Sequence, residues 1–169
     1  MSFHPTHSQG NPYTLAGFRG PRMALVERAN PTDRADVERL VAAYHISEGV
    51  KPKPERISWA VEQQMRNRFP GVLLIAREKK AVVGVALAVY APSAELGRVL
   101  VIQDFFVDPA MRLKGVGRAL AAKLLEEAKA MRIDRVDLEV FPKNEGAAAF
   151  WKKLGFRTGG RLVFSRDLI

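Results

Sequence analysis

The stretch from Val99 to Arg118 limits this chain more than any other. Val99 to Val107 is apolar except at Gln103 and Asp104, the pattern of a strand covered on both faces. It runs directly into Asp108-Pro109-Ala110-Met111-Arg112-Leu113-Lys114-Gly115-Val116-Gly117-Arg118 and then into a helical stripe marked by Val116, Leu120 and Leu124. A second apolar run, Arg135 to Phe141, follows. Strand, helix and strand over 99–140 make a right-handed parallel crossover, so the chain is an α/β protein.

The turn at the head of that helix has a chemistry of its own. The first N–H groups of a helix lack intrahelical partners, and the helix dipole is positive there. Gly115 and Gly117 carry no Cβ, so a ligand can come close to the backbone. Arg112, Lys114 and Arg118 add full charges. These residues describe a phosphate site, although a glycine-bearing turn with solvated basic residues has the same spacing. A P-loop needs Gly-x4-Gly-Lys-Ser/Thr, which is absent. A dinucleotide fingerprint is nearer, with Asp137 and Glu139 about 20 residues on. However, Ala119-Leu120 stands where its third glycine belongs, and one crossover is too little for a doubly wound sheet.

The remaining elements surround this unit. Met23 to Ala29 suits a first strand. Asn30-Pro31-Thr32-Asp33 is a helix start, followed by Val37, Leu40, Val41 and Tyr44 at helical spacing. A second helix fits Pro54 to Arg68, with Ile57, Val61 and Met65 on one stripe. Val72–Arg77 and Ala81–Tyr90 read as a hairpin around Glu78-Lys79-Lys80. Gly146 to Leu154 is a short helix, and Phe156 to Asp167 a closing hairpin around Gly159-Gly160. Residues 1–22 hold three prolines, three glycines and no acid; they read as a flexible arm before a single domain, 23–169.

Composition excludes several classes. The absence of cysteine removes disulfides, thiolate metal sites and cysteine nucleophiles. Two of the three histidines, His4 and His7, lie in the arm, which leaves little for a histidine metal cluster. No run is long enough to span a bilayer and no export signal is visible, which implies a cytoplasmic protein. The net charge of +9 favours anionic partners.

Arg112-x-x-Gly115-x-Gly117 after an apolar strand ending in Val107 resembles the pyrophosphate motif of the GNAT superfamily of N-acetyltransferases. A second block, Asn144, Ala147 and Phe150-Trp151-Lys152-Lys153-Leu154-Gly155-Phe156, resembles that superfamily's Asn…Ala…Phe-Tyr-x-Lys-x-Gly-Phe segment. The resemblance covers Met23 to the C-terminus. It implies a mixed, centrally splayed sheet of about seven strands with about four helices, and transfer of an acetyl group from acetyl-CoA to an amine. Phe105, Phe106 and Val107 would offer backbone groups to the pantetheine arm, with the Val107 N–H polarising the thioester carbonyl. Arg112, Leu113, Lys114, Gly115, Val116, Gly117 and Arg118 would hold the pyrophosphate. Asn144 would bond the pantetheine or the amine, or cap the helix it precedes, or both. The acceptor would be a small-molecule or peptide amine. Membrane and nucleic acid are not implied as partners, and a homodimer is left open.

Direct transfer also needs proton acceptors and donors. Asp104 interrupts a buried apolar strand, where a carboxylate is costly unless bonded or used; it is the candidate base. The resemblance at this strand is to the diamine-acetylating branch, but Gln103 stands where that branch has a second acid. Trp151 occupies the family's tyrosine position beside the cofactor. An indole N–H does not give up its proton usefully, and the helical stripe turns Trp151 inward. His45 reads as a helix-end residue. Two other classes fit parts of this pattern: a CoA-binding regulator without catalysis, and a nucleic-acid-binding protein using the positive charge.

Overall fold

The computed structural model describes residues 24–168. The arm assigned to 1–22 lies outside the described residues. The elements are β1 (Leu25–Arg28), α1 (Arg34–Ser47), α2 (Pro54–Met65), β2 (Gly71–Glu78), β3 (Ala81–Ser93), β4 (Gly97–Val107), α3 (Val116–Ala130), β5 (Arg135–Leu138) and α4 (Glu145–Lys153). They build one sheet in the order β1-β2-β3-β4-β5. Neighbours are antiparallel up to β4, and β4 pairs with β5 in parallel.

Alternation along the strands splits the core into two layers. Val72, Leu74, Ala76, Ala86, Ala88 and Leu100 pack with Val116, Leu120 and Leu124 of α3 and Trp151 of α4. Leu73, Ile75, Val85 and Leu87 pack on the other face with Val37, Leu40 and Val41 of α1 and Ile57 and Val61 of α2. Period two in the strands meets period 3.6 in the helices, so every central strand is covered on both sides. The helix-start signal before α1 is realised as a reciprocal cap. Asn30 Oδ1 accepts from the Thr32 N–H, and Asp33 Oδ2 accepts from the Asn30 N–H at 3.0 Å. Arg77 of β2 then donates to Asp33 at 2.8 Å, which ties the start of α1 to the sheet.

The sheet has five strands rather than about seven. Residues 156–168 contain no strand, so the closing hairpin is a correction. Leu162, Val163 and Phe164 are consecutive, and all three are exposed. A strand here would put at least one of them on the wrong face, and a lone hairpin without a packed face is marginal in water. Arg161 instead reaches Glu95 in the β3–β4 turn at 2.5 Å. β5 also stops at Leu138, short of the expected Phe141. Among the described residues, no helix is long and apolar enough to cross a membrane.

Candidate active site

A one-residue irregularity in β4 organises this region. Leu87 of β3 pairs with Asp104, but Ala88 pairs with Ile102, so Gln103 is the extra residue of a β-bulge. Before it, Leu100 and Ile102 face α3 and α4. Strict alternation would put Asp104 on that face too. The bulge reverses the parity: Phe105 and Val107 join the α3/α4 layer, while Phe106 packs in the α1/α2 layer. Asp104 turns to α1 and meets His45 there.

The same point ends the pairing with β5. Val99 to Ile102 pair with Arg135 to Leu138, and the ladder goes no further. From Gln103 to Val107, β4 keeps its β3 neighbour on one side and, among the described residues, has no strand partner on the other. The chain beyond Leu138 leaves the ladder and enters α4 at Asn144.

The β4–α3 turn opens beside this unpaired flank. Leu113 and Gly115 hold positive φ, 61° and 82°, a left-handed conformation that suits Gly115 and strains Leu113. Gly115 is the N-cap of α3, and a Cβ built there meets nothing within 4 Å. The N-cap supplies no side-chain hydrogen bond to the first turn of this 15-residue helix. Arg112 folds back: its Nε donates to the Val107 carbonyl at 3.1 Å, and its guanidinium lies 5.4 Å from the Phe106 ring centre. It clamps the turn to the end of β4. Leu113, Lys114 and Arg118 are exposed, while the Val116 side chain is core. A Cβ at Gly117 would touch Phe150 and Val107 at 3.7 Å. Open amides, glycine at the closest approach and flanking cations fit a diphosphate.

Asn144 is committed at both ends of its amide. Its Oδ1 accepts from the Ala147 N–H at 3.0 Å, capping α4, and its Nδ2 donates to Glu48 Oε1 at 2.7 Å. Lys143 Nζ donates to the Glu48 carbonyl at 2.9 Å. These bonds fasten the end of α1 to the start of α4. Trp151 is 7% exposed and makes edge-on contacts with Phe105, Phe150 and Phe156, ring centres 4.8–5.0 Å apart. The inward face expected from its helical stripe is what the fold uses. Trp151→Ala is expected to cost about 3–5 kcal/mol, read from urea denaturation. A cost below about 1 kcal/mol would mean that the ring is not a core element.

On the α1 side, His45 Nε2 lies 3.2 Å from Asp104 Oδ1. Burial pushes the Asp104 carboxyl above its usual range, and the His45 contact only partly opposes this. Tyr44 stacks on Phe106, ring centres 6.3 Å apart. Burial, and then the carboxylates of Glu48 and Asp104, push its phenol up. The structure thus brings Asp104, Phe105, Phe106 and Val107 to the unpaired flank, with Arg112 to Arg118 at its end. Asn144 is directed to Glu48 and Trp151 into the core. Sequence reasoning read His45 as a helix-end residue, passed over Lys143 and could not single out Glu48. No spacing signal marks them, because their partners lie 59 and about 96 positions away. Among the described residues, no three His, Asp or Glu side chains are grouped to hold a metal ion.

Comparison with known proteins gives one consistent result. The family described as Acetyltransferase (GNAT) matches residues 36–156, most of the chain. An uncharacterized N-acetyltransferase of Methanocaldococcus jannaschii is 46% identical over 55 residues, which is 32% of this chain and about a quarter (24%) of that relative's length. The fold is similar to that of a possible acetyltransferase from Clostridium difficile 630, with TM-score 0.75, 19% identity, and 87% and 99% of the two chains covered. It is also similar to a predicted acetyltransferase from Clostridium acetobutylicum solved with acetyl-CoA, with TM-score 0.72, 20% identity, and 85% and 96% covered.

Proposed function

Because the chain belongs to the GNAT family of acetyltransferases, we propose that it transfers an acetyl group from acetyl-CoA to a primary amine by direct attack. The observation that carries this reading is the unpaired flank of β4 from Gln103 to Val107, followed by a start of α3 that no side chain caps. An extended substrate arm can satisfy strand edge groups that no β-strand satisfies. The amides around Gly115, with Lys114 and Arg118, suit the diphosphate of CoA. The Val107 N–H is the proposed donor to the thioester oxygen, where charge builds as the amine adds. Asp104 is the proposed base on the acceptor side, receiving the amine's proton directly or through water. The acceptor enters from the α1 face, where Tyr44, His45 and Glu48 surround that carboxylate.

Acetyl-CoA at 100 times its dissociation constant is expected to stabilise the fold by about 2.7 kcal/mol, seen as a raised melting temperature. Thiol release should then follow with one of three primary amines, butylamine, putrescine or lysine. No stabilisation would sink the reading. Stabilisation without thiol release would leave CoA binding and remove the transfer to such amines.

A further inference from the structure

His45, on the last turn of α1, lies against Asp104 with Nε2 3.2 Å from Oδ1. The imidazole is the more exposed of the two, 28% against 15%. An ionised carboxylate can only accept a hydrogen bond, so Nε2 carries the ring's proton and Nδ1 is left with its lone pair. Other charged groups near the ring are directed elsewhere. The Glu48 carboxylate takes the Asn144 amide, and Lys143 is on the Glu48 carbonyl. Tyr44, 5.9 Å away between ring centres, keeps its proton and does not compete as a base. From β4 the neighbour is Asp104 itself.

We infer that His45 Nδ1, rather than Asp104 itself, takes the proton of the attacking amine and that Asp104 positions the ring. This rests on the acetyltransferase reading above. The amine nitrogen bonds to the acetyl carbon, the carbon–sulfur bond breaks, and the amine's proton passes to Nδ1. The imidazolium then returns that proton to the departing thiolate sulfur, so the ring ends the cycle neutral. A group that returns the proton suits a chain in which Trp151 stands where the resembling family has tyrosine, since an indole does not ionise usefully. Asp104 favours the imidazolium while it exists and fixes the tautomer that exposes Nδ1.

Imidazole proton–nitrogen correlation spectra of the wild-type protein test the geometry without any substrate. They should show the proton of neutral His45 on Nε2, and Asp104→Leu should abolish that preference. His45→Gln keeps a donor for Asp104 but cannot titrate. It should lower turnover about 10²–10⁴-fold, flatten the acidic limb of the pH profile, and leave the acetyl-CoA KM within a few-fold of wild type. The amines are butylamine, putrescine and lysine. A proton on Nδ1, or full turnover with an unchanged pH profile in His45→Gln, overturns the inference while acetyl-CoA binding keeps the transferase reading intact. Wild-type protein that binds acetyl-CoA and acetylates none of the three overturns the proton-acceptor role. Failure of wild type to bind acetyl-CoA overturns the reading and His45's part in it together.

Discussion

Gly117→Leu is expected to lower acetyl-CoA affinity by about 100-fold or more, while Gly117→Ala stays within a few-fold of wild type. The difference is geometric. A Cβ at Gly117 sits 3.7 Å from Phe150 and from Val107, which is ordinary contact, so alanine fits. The further atoms of leucine must press into the Phe150–Trp151 aromatic cluster or rise into the turn where the diphosphate is proposed to lie. Losing two charge-assisted hydrogen bonds, each contributing about 1.5 kcal/mol, is enough for the larger effect. Calorimetric titration with acetyl-CoA measures it, and a thermal melt of the free protein checks the fold. Equal affinity in both variants would move the diphosphate away from this turn.

Asp104→Asn is expected to cut turnover by about 10²–10⁴-fold without lowering stability at neutral pH. Activity and stability should separate because burial works against the ionised carboxylate. Its folded-state pKa is raised above the ordinary carboxylate value by burial, so the unfolded chain releases this proton more readily than the folded one. The contribution of Asp104 to stability is therefore fully present below the unfolded pKa and declines as pH rises through the folded pKa. Asparagine has no such decline. The melting temperature of Asp104→Asn should gain on wild type as pH increases out of the acid range. A variant that melts well below wild type at neutral pH would mean that the ionised carboxylate stabilises the fold through its His45 contact. Such a group would be structural rather than poised for proton transfer. The opposite pattern, a stabilised and slowed variant, is the mark of a site that holds a costly charge for its chemistry.

Much of this fold can be read from short windows. The nearly continuous apolar Val72–Arg77 and Ala81–Tyr90 strands, the Asn30 cap and the α3 stripe each depend on a few neighbouring residues, and all lie close to where local patterning puts them. The closing hairpin was not legible in the same way. Gly159-Gly160 offers a turn, but a strand needs a surface to cover, and Leu162-Val163-Phe164 do not alternate. Asp104 could be recognised as an intruder in an apolar run. Which face it would occupy could not, because a single inserted residue at Gln103 inverts the count. Arg112 is a related case: its charge suggested a phosphate contact, and in the fold its Nε holds the Val107 carbonyl.

By itself, the sequence determined the family motifs, the order of the main elements and the backbone-lined start of α3. Those features rest on glycine, capping residues and hydrophobic period, whose effects reach only a turn or two along the chain. Tertiary structure alone decided that β4 separates from β5 after Ile102 and that Asp104 meets His45 across 59 residues. Such meetings depend on strand register and helix placement, which are set by the packing of the whole sheet against two helical layers rather than by neighbouring residues.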